Sequence, residues 1–589
     1  MKIIVAKTAG FCMGVKRAVD LALEHSGKES HGIQTLGPLI HNKQTLEVLK
    51  QRGVTTLDEN KPTTGKATLL VRAHGIPPEM QKKYSTQGHR IIDGTCPKVK
   101  TVHKVIERFR EQGFSIVITG DEGHAEVIGL MGYAGKSGYL VQTVDDIAKL
   151  PDLDKVCLVS QTTFDRILFD TIADAVRKRF TSSEVVIKKT ICAATDQRQA
   201  ETEELAKQVD ALIVVGGKNS ANTQRLAKIG TDCGKITQHV ETENEINWDS
   251  ISQCKTIGIT AGASTPTWMI KRVHDYIQFM SQTRRRSIKN ILLYMLDIFA
   301  NMNIFVSLGA VAVYYASCYL QGFDFNLTGG LIAFTYFLTM YLWNSLASIE
   351  KTQHHGISRY HFYHAHKRIF YIIVTFVILL TLGFCAFYSL NLFYLMLFAT
   401  LAGLAYHMSI LPSFLQHILP YKTLKDIPTS RELFIALAWC TVLTFMPRVL
   451  ANTFTIDILS IALFAWIFII AYLRSLIFDL RDIEGDRIMG RETLITIIGE
   501  KRARKVMLLM IWICLAALLI VPSVLGLSVY KSTKAIQFFF QIPVLFYTFV
   551  FIRWNSNIHQ KRNTLFIMLT DGMFYLMALG AVMADFFLR

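Results

Sequence analysis

Two patterns of apolar residues divide the chain. Through residues 1–280, short β-rich runs alternate with stretches of helical period, as in SIVITG (115–120), ALIVVGG (211–217) and KTIGITAG (255–262). Each run ends in glycine and passes through polar residues into a helical pattern. That alternation predicts an α/β fold with its sites at the carboxyl ends of the strands. From Ile291 onward, apolar runs recur at about 20 residues, the length that crosses a bilayer as a helix. Nine spans are expected, near 291–318, 327–347, 368–388, 391–411, 432–448, 456–476, 505–527, 535–553 and 564–587. Between the two regimes, SQTRRRSIKN (281–290) is polar, basic and without apolar periodicity, and reads as a linker. The expected layout is an α/β domain over 1–280, the linker 281–290, and an all-α polytopic membrane domain over 291–589.

Composition sharpens this division. The hydrophobic fraction, 51% of 589 residues, is concentrated in the second regime. A net charge of +17 on a soluble protein would point to nucleic acid. Here much of the surplus flanks apolar spans, as in Arg284, Arg285 and Arg286, which suits anionic lipid headgroups and gives no reason to expect nucleic acid. The opening residues MKIIVAKTAGFCMG hold an apolar stretch of only four residues before Lys7, so they are not a signal peptide. Lys and Arg gather in alternate loops, at 351–368, 422–431, 474–505 and 553–562. The positive-inside rule then places the first domain and these loops in the cytoplasm of a multi-pass cell-membrane protein.

In that compartment thiols stay reduced, and cysteines are better read as ligands or core residues than as disulfides. Cys12, Cys96 and Cys192 each follow a β-like run at a Gly- or Thr-flanked turn, 84 and 96 residues apart, as if three similar α/β units each offered one thiol to a common centre. Cys157 lies inside the apolar run VCLV and reads as core, and Cys233 and Cys254 lie in polar stretches. Three thiolates from distant loops suit an iron–sulfur cluster or zinc, and a zinc or redox-sensing domain stays open beside plain burial of small hydrophobic thiols. His41, His74 and His124 each sit in a Gly-containing turn beside an apolar run. Imidazoles, together with the hydroxyls and amides of Thr162, Thr163, Ser220, Asn222 and Ser264, suit a diphosphate.

GFCMGVKRAVD, GPLIHN, RAHGIP, DGTCPKV, GHAEV, SQTT, GGKNSANTQRL and TAGASTP, in this order over about 280 residues, resemble 4-hydroxy-3-methylbut-2-enyl diphosphate reductase. The resemblance implies a three-lobed, pseudo-threefold α/β domain around one [4Fe-4S] cluster, held by Cys12, Cys96 and Cys192, with an open apical iron for the substrate C4 hydroxyl. It implies that His41, His74, His124, Thr162, Ser220, Asn222 and Ser264 hold the diphosphate or the hydroxyl. It implies that Glu126 delivers protons. The activity implied is reductive dehydroxylation to isopentenyl and dimethylallyl diphosphate, the last step of the non-mevalonate (methylerythritol phosphate) pathway. The electrons would come from an external one-electron donor such as ferredoxin, flavodoxin or an NAD(P)H-fed reductase. Ala221 stands where many members carry a second serine, a loss of about 0.5–1.5 kcal/mol in hydrogen bonding.

In the second half, RSLIFDLRDIEGDRIMGRETL (474–494) places Asp479, Asp482 and Asp486 on one helical face, where carboxylates can hold Mg²⁺ and grip a prenyl diphosphate. A solvated loop of alternating charges is the bland alternative. With YKTLKDIPTSRELF (421–434), the stretch resembles the second aspartate motif and second polar loop of UbiA-type prenyltransferases. The first motif of that family, NDxxDxxxD, reads here NSLASIEKT (344–352): Asn344 is kept, but Ser345, Ser348 and Thr352 occupy the aspartate positions, and Glu350 is the nearby carboxylate. The half is therefore expected to be either a prenyl-transfer enzyme or a noncatalytic anchor or lipid-binding module in contact with the bilayer.

Overall fold

The computed structural model describes residues 1–26, 33–40, 42–57, 67–284, 288–347, 363–364, 366–406, 424, 427–453, 455–488, 493–524, 534–554 and 563–588. The chain forms two compact units, Met1–Ser281 and Gln282–Arg487 with Arg491–Arg589.

The first unit carries twelve strands: β1 (Lys2–Val5), β2 (Ile33–Leu36), β3 (Val54–Thr56), β4 (Thr68–Val71), β5 (Arg90–Asp93), β6 (Ser115–Thr119), β7 (Gly138–Val141), β8 (Lys155–Ser160), β9 (Glu184–Ile187), β10 (Ala211–Val215), β11 (Ile236–Val240) and β12 (Thr256–Ala261). They form three four-stranded sheets, ordered β1-β12-β10-β11, β3-β2-β4-β5 and β7-β6-β8-β9. Every pairing is parallel. Inner strands such as β4 and β10 are buried along their whole length, because helices cover both faces of a parallel sheet and leave no polar side. Period-2 alternation then sorts their side chains. In the third sheet Val117, Val156 and Leu158 enter one core with Phe169 and Ile172, while Ile116, Ile118, Cys157 and Val159 enter another with Phe109 and Phe114. Cys157 is thus core, and burial pushes its thiol up to about 12.

Three edge strands, β1, β5 and β9, share one burial pattern, exposed at the first residue and partly buried after it. Each precedes one of the cysteines at 12, 96 and 192. β1 comes from the beginning of the chain and pairs with the last strand, with Lys2 opposite Thr256 and Val5 opposite Ile259.

The expected linker is helical at both ends, and residues 285–287 lie outside the described residues. One helix runs Thr267–Arg284 and the next begins at Ile288. Gln, Arg and Ser tolerate a helix well, and the segment holds no Pro or Gly to stop it.

Among the described residues of the second unit, six helices are long and apolar enough to cross a membrane: Ile304–Gln321, Lys367–Tyr388, Ser430–Leu450, Ile458–Ile483, Ile536–Arg553 and Thr564–Leu588. This half is therefore a multi-pass membrane region, and large apolar side chains such as Phe387 and Ile372 stand exposed, as lipid contact requires. The helices Leu327–Ala347, Leu390–Ala405 and Glu500–Val524 lie where the other three expected spans fall. The first expected span, 291–318, is two helices. They break at Asn303, which adopts a left-handed conformation with φ 59°, and Tyr363 Oη donates to the Asn301 carbonyl at 2.7 Å. The segment expected to span 456–476 continues instead as one helix from Ile458 to Ile488, so Arg474 to Arg487 lie on a helix rather than in a loop.

That helix buries charge. Arg474 Nε lies 2.6 Å from Asp571 Oδ1, with 8% and 0% of the side chains exposed. Its guanidinium also donates to Tyr341 Oη at 3.2 Å and sits 4.8 Å from the Phe478 ring centre. Asp571→Ala leaves this cation buried without its anion, at a cost of about 3–5 kcal/mol. The expected outcome is a clear drop in the thermal midpoint of the detergent-solubilised chain. Asp457→Ala should lower it less, because Arg448 keeps Gln321 and Thr455 as acceptors.

Candidate functional site

The three cysteines occupy equivalent local positions. Cys96 and Cys192 cap the helices Pro97–Glu111 and Ala193–Gln208, and Cys12 directly precedes Met13–Ser26. The backbone N–H of each donates to a carbonyl two residues beyond the adjoining inner strand. Cys12 bonds Ala263 O at 3.1 Å, Cys96 bonds Ala73 O at 2.9 Å and Cys192 bonds Thr162 O at 2.9 Å. Helix N-termini favour thiolates, and Cys12 Sγ accepts from Val15 N at 3.5 Å. Burial raises the Cys96 pKa, the amides of Lys98 and Val99 oppose that shift, and the charges of Cys12 and Cys192 add to it. The helix that begins at Met13 approaches Cys96 closely: a Cβ on Gly14 would lie 2.5 Å from Cys96 Sγ.

One cavity is lined by Cys12, Cys96, Cys192, His74, His124, Glu126, Thr162, Thr163, Ser220, Asn222 and Ser264. The structure thus brings together every site residue expected in the first half except His41, which lies outside the described residues. Glu126 is fully buried. Its Oε1 accepts from Thr162 N at 2.6 Å and its Oε2 from Thr162 Oγ1 at 2.8 Å. Burial pushes its carboxyl up to about 7, against the pull of the Thr162 bonds and the Arg225 cation. His124 Nδ1 accepts from Glu126 N at 3.1 Å, which puts the proton of the neutral ring on Nε2. The rings of His74 and His124 meet edge to face at 5.3 Å. Asn222 and Ser264 are buried, yet neither polar atom of the Asn222 amide nor the Ser264 hydroxyl has a partner among the described residues. Buried polar atoms left this way cost about 1–3 kcal/mol each, so a polar ligand belongs against them.

Two buried polar residues of the cavity were not expected, Thr195 and Arg198. Both are buried, on the helix Ala193–Gln208, whose inward face also holds Gln199 and Thr202. The signal lay in polar residues recurring at helical spacing immediately after Cys192.

In the membrane half, Asp479, Asp482 and Asp486 share the helix Ile458–Ile488. Arg431 pairs with Asp479, and its guanidinium stands 3.9 Å from Asp486 and 3.8 Å from Glu432. Ser345 Oγ donates to the Tyr341 carbonyl of its own helix at 2.8 Å. Asn344 and Arg431 line a cavity of about 370 Å³ whose other walls are mostly apolar, including Tyr336, Phe337 and Trp439. Ser348, Glu350 and Thr352 lie outside the described residues. Among the described residues, no three His, Cys, Asp or Glu side chains are grouped so as to hold a single metal ion.

Comparison with known proteins follows the same division. The LytB protein family model matches residues 3–278, and the UbiA prenyltransferase family model matches residues 369–577. The 4-hydroxy-3-methylbut-2-enyl diphosphate reductase of Clostridioides difficile (strain 630) is 38% identical over 280 residues, which cover 47% of this chain and 99% of that protein. The enzyme of the same name from Aquifex aeolicus (strain VF5) is 41% identical over 47% of this chain and 96% of its own length. A solved (E)-4-hydroxy-3-methyl-but-2-enyl diphosphate reductase is 41% identical over 47% of this chain and 100% of its own, with a TM-score of 0.38. A UbiA homolog from Archaeoglobus fulgidus, solved with GPP and Mg²⁺, is 16% identical over 48% and 99%, with a TM-score of 0.37. Over its first half the chain belongs to the 4-hydroxy-3-methylbut-2-enyl diphosphate reductase family, and it continues into a UbiA-like membrane domain.

Proposed function

We propose that the first half reduces 4-hydroxy-3-methylbut-2-enyl diphosphate to isopentenyl and dimethylallyl diphosphate. It would do so as a three-lobed domain around one [4Fe-4S] cluster held by Cys12, Cys96 and Cys192. The carrying observation is a buried carboxyl, Glu126, held by Thr162 in the cavity that all three cysteines line. The donor set fits the cluster. Three thiols open from helix N-termini onto one cavity, and the Gly14 backbone is cradled against Cys96. When bound, the cluster supplies electrons from an external donor and an open iron for the substrate hydroxyl.

The protein's own groups do the rest. The orphaned atoms of Asn222 and Ser264, with Ser220, Thr163, His74 and His124, take the diphosphate oxygens and fix the chain of the substrate. Overall, two electrons and two protons enter, the C–O bond breaks, and the hydroxyl leaves as water. A carboxyl with a pKa near 7 is charged and neutral in comparable amounts at neutral pH, so Glu126 can release a proton and be reloaded. Thr162, donating to it from N at 2.6 Å and from Oγ1 at 2.8 Å, fixes the orientation of the carboxyl.

For the membrane half we favour a noncatalytic module that holds the reductase at the bilayer and contacts lipid through its mostly apolar cavity. The carboxylates do not fit Mg²⁺: Arg431 already sits on Asp479 beside Asp486, and Ser345 is back-bonded where the family's first motif needs aspartate. The Lys and Arg that gather near alternate span ends support a cytoplasmic position for the reductase, where soluble one-electron donors work.

Anaerobic purification of the full chain tests the core of this reading. Four irons and four sulfides per chain, with turnover of the hydroxylated diphosphate, are expected of a [4Fe-4S] reductase. Cys→Ser at 12, 96 or 192 should deplete iron, whereas Cys157→Ser should not; equal iron in all four would refute the assignment. Glu126→Gln should keep its iron and lose about 10²–10⁴-fold in turnover. The protonated fraction of Glu126 falls as pH rises through about 7, so turnover should decline on the alkaline side. In the membrane half, Mn²⁺ binding followed by EPR should be the same with and without Asp479→Asn. One ion lost with that substitution would restore a metal site.

A further inference from the structure

The buried guanidinium of Arg198 has no role in the reading above. It comes from the helix that starts at Cys192, its residue is 4% exposed, and it lines the cavity of the three thiols. Nη1 donates to the Ala261 carbonyl at 2.5 Å and Nη2 to the Gly10 carbonyl at 2.9 Å. The cation is thereby pinned between the end of β12, two residues before Ala263, and the loop that carries Cys12. Among the described residues no carboxylate forms a salt bridge with it. Glu201, the acidic residue one turn further on, accepts instead from the amides of Lys7 and Thr8 at 2.7 and 2.8 Å. Of the other cations near the site, Arg225 is bonded to Asp121 at 2.5 Å, Arg17 donates to the Thr95 carbonyl at 3.0 Å, and Lys98, which also lines the cavity, is exposed.

A buried cation that holds only carbonyl dipoles is expensive unless an anion completes the site. Burial brings its pKa down to about 10, with Cys12 and Glu201 opposing that shift, so it remains charged at neutral pH. Three thiolates around a cluster carry net negative charge, and that charge grows with each electron added.

We propose that Arg198 is the fixed counter-charge of the cluster site, held by Gly10 and Ala261 so that it eases the arrival of each electron. This rests on the reductase reading. Removing the charge should make the cluster harder to reduce. Keeping it on a different stem should not.

The test uses the full chain, purified anaerobically in detergent, with iron content and an EPR-monitored reductive titration. Arg198→Gln should retain iron and shift the midpoint to a more negative potential, while Arg198→Lys should titrate close to the unsubstituted chain. A Gln variant with full iron and an unmoved midpoint overturns the proposal, as does a Lys variant shifted as far as Gln. If the Gln variant loses its cluster, the Lys variant decides. Retained iron and potential support the charge, whereas loss of iron there too makes Arg198 a mechanical clip and overturns it. An unsubstituted chain without a cluster signal would count against the reductase reading itself.

Discussion

One repeated hydrogen bond organises the first half of this protein. A cysteine N–H at the end of an edge strand meets a carbonyl two residues past the neighbouring inner strand, at Ala263, Ala73 and Thr162. Parallel pairing makes this bond available, because all four strands of a sheet end on the same side and deliver their loops together. Each cysteine then begins a helix, so its sulfur sits where backbone N–H groups point outward. The same carbonyl-bearing loops continue into His74, Thr163 and Ser264. The three cysteines and the cavity residues His74, Thr163 and Ser264 therefore come from one local geometry used three times.

Around that frame, buried charge is balanced by different means. Glu126 is tempered by two bonds from Thr162 and by Arg225, and remains near neutrality in its titration. Arg225 is itself tied to Asp121 and to the Thr163 carbonyl. In the membrane half, Arg474 and Asp571 satisfy each other directly, ringed by aromatic faces. Arg431 draws together carboxylates that the sequence motif alone would assign to a metal.

Much of this was legible in the residues because the relevant signals are local. A β-like run followed by Gly or Thr and then Cys marks a strand end wherever it occurs, and Cys12, Cys96 and Cys192 carry that signal intact. Arg198 and Thr195 were missed because an inward helix face is ordinarily sought through apolar residues, and theirs is polar. The break at Asn303 depends on a single left-handed residue, which no periodicity reveals. The helical face of Asp479, Asp482 and Asp486 was legible, but the burial of Arg474 against Asp571, 97 residues away, has no local signal. The helical ends of the expected linker were hidden for the opposite reason: solvated helix and coil share the same polar composition.

The pairing of β1 with β12 has a consequence for biogenesis. The strand that leads to Cys12 is made first, but its hydrogen-bonding neighbour is the last strand of the unit. On the ribosome, the segment bearing the first thiol must wait for some 250 further residues before it can dock, at about 5–20 residues per second. Until then the other two sheets, whose strands are contiguous in the chain, can assemble while the third is open. The cavity lined by all three thiols therefore closes only after release of this unit from the exit tunnel, when the first membrane helices are already emerging behind it.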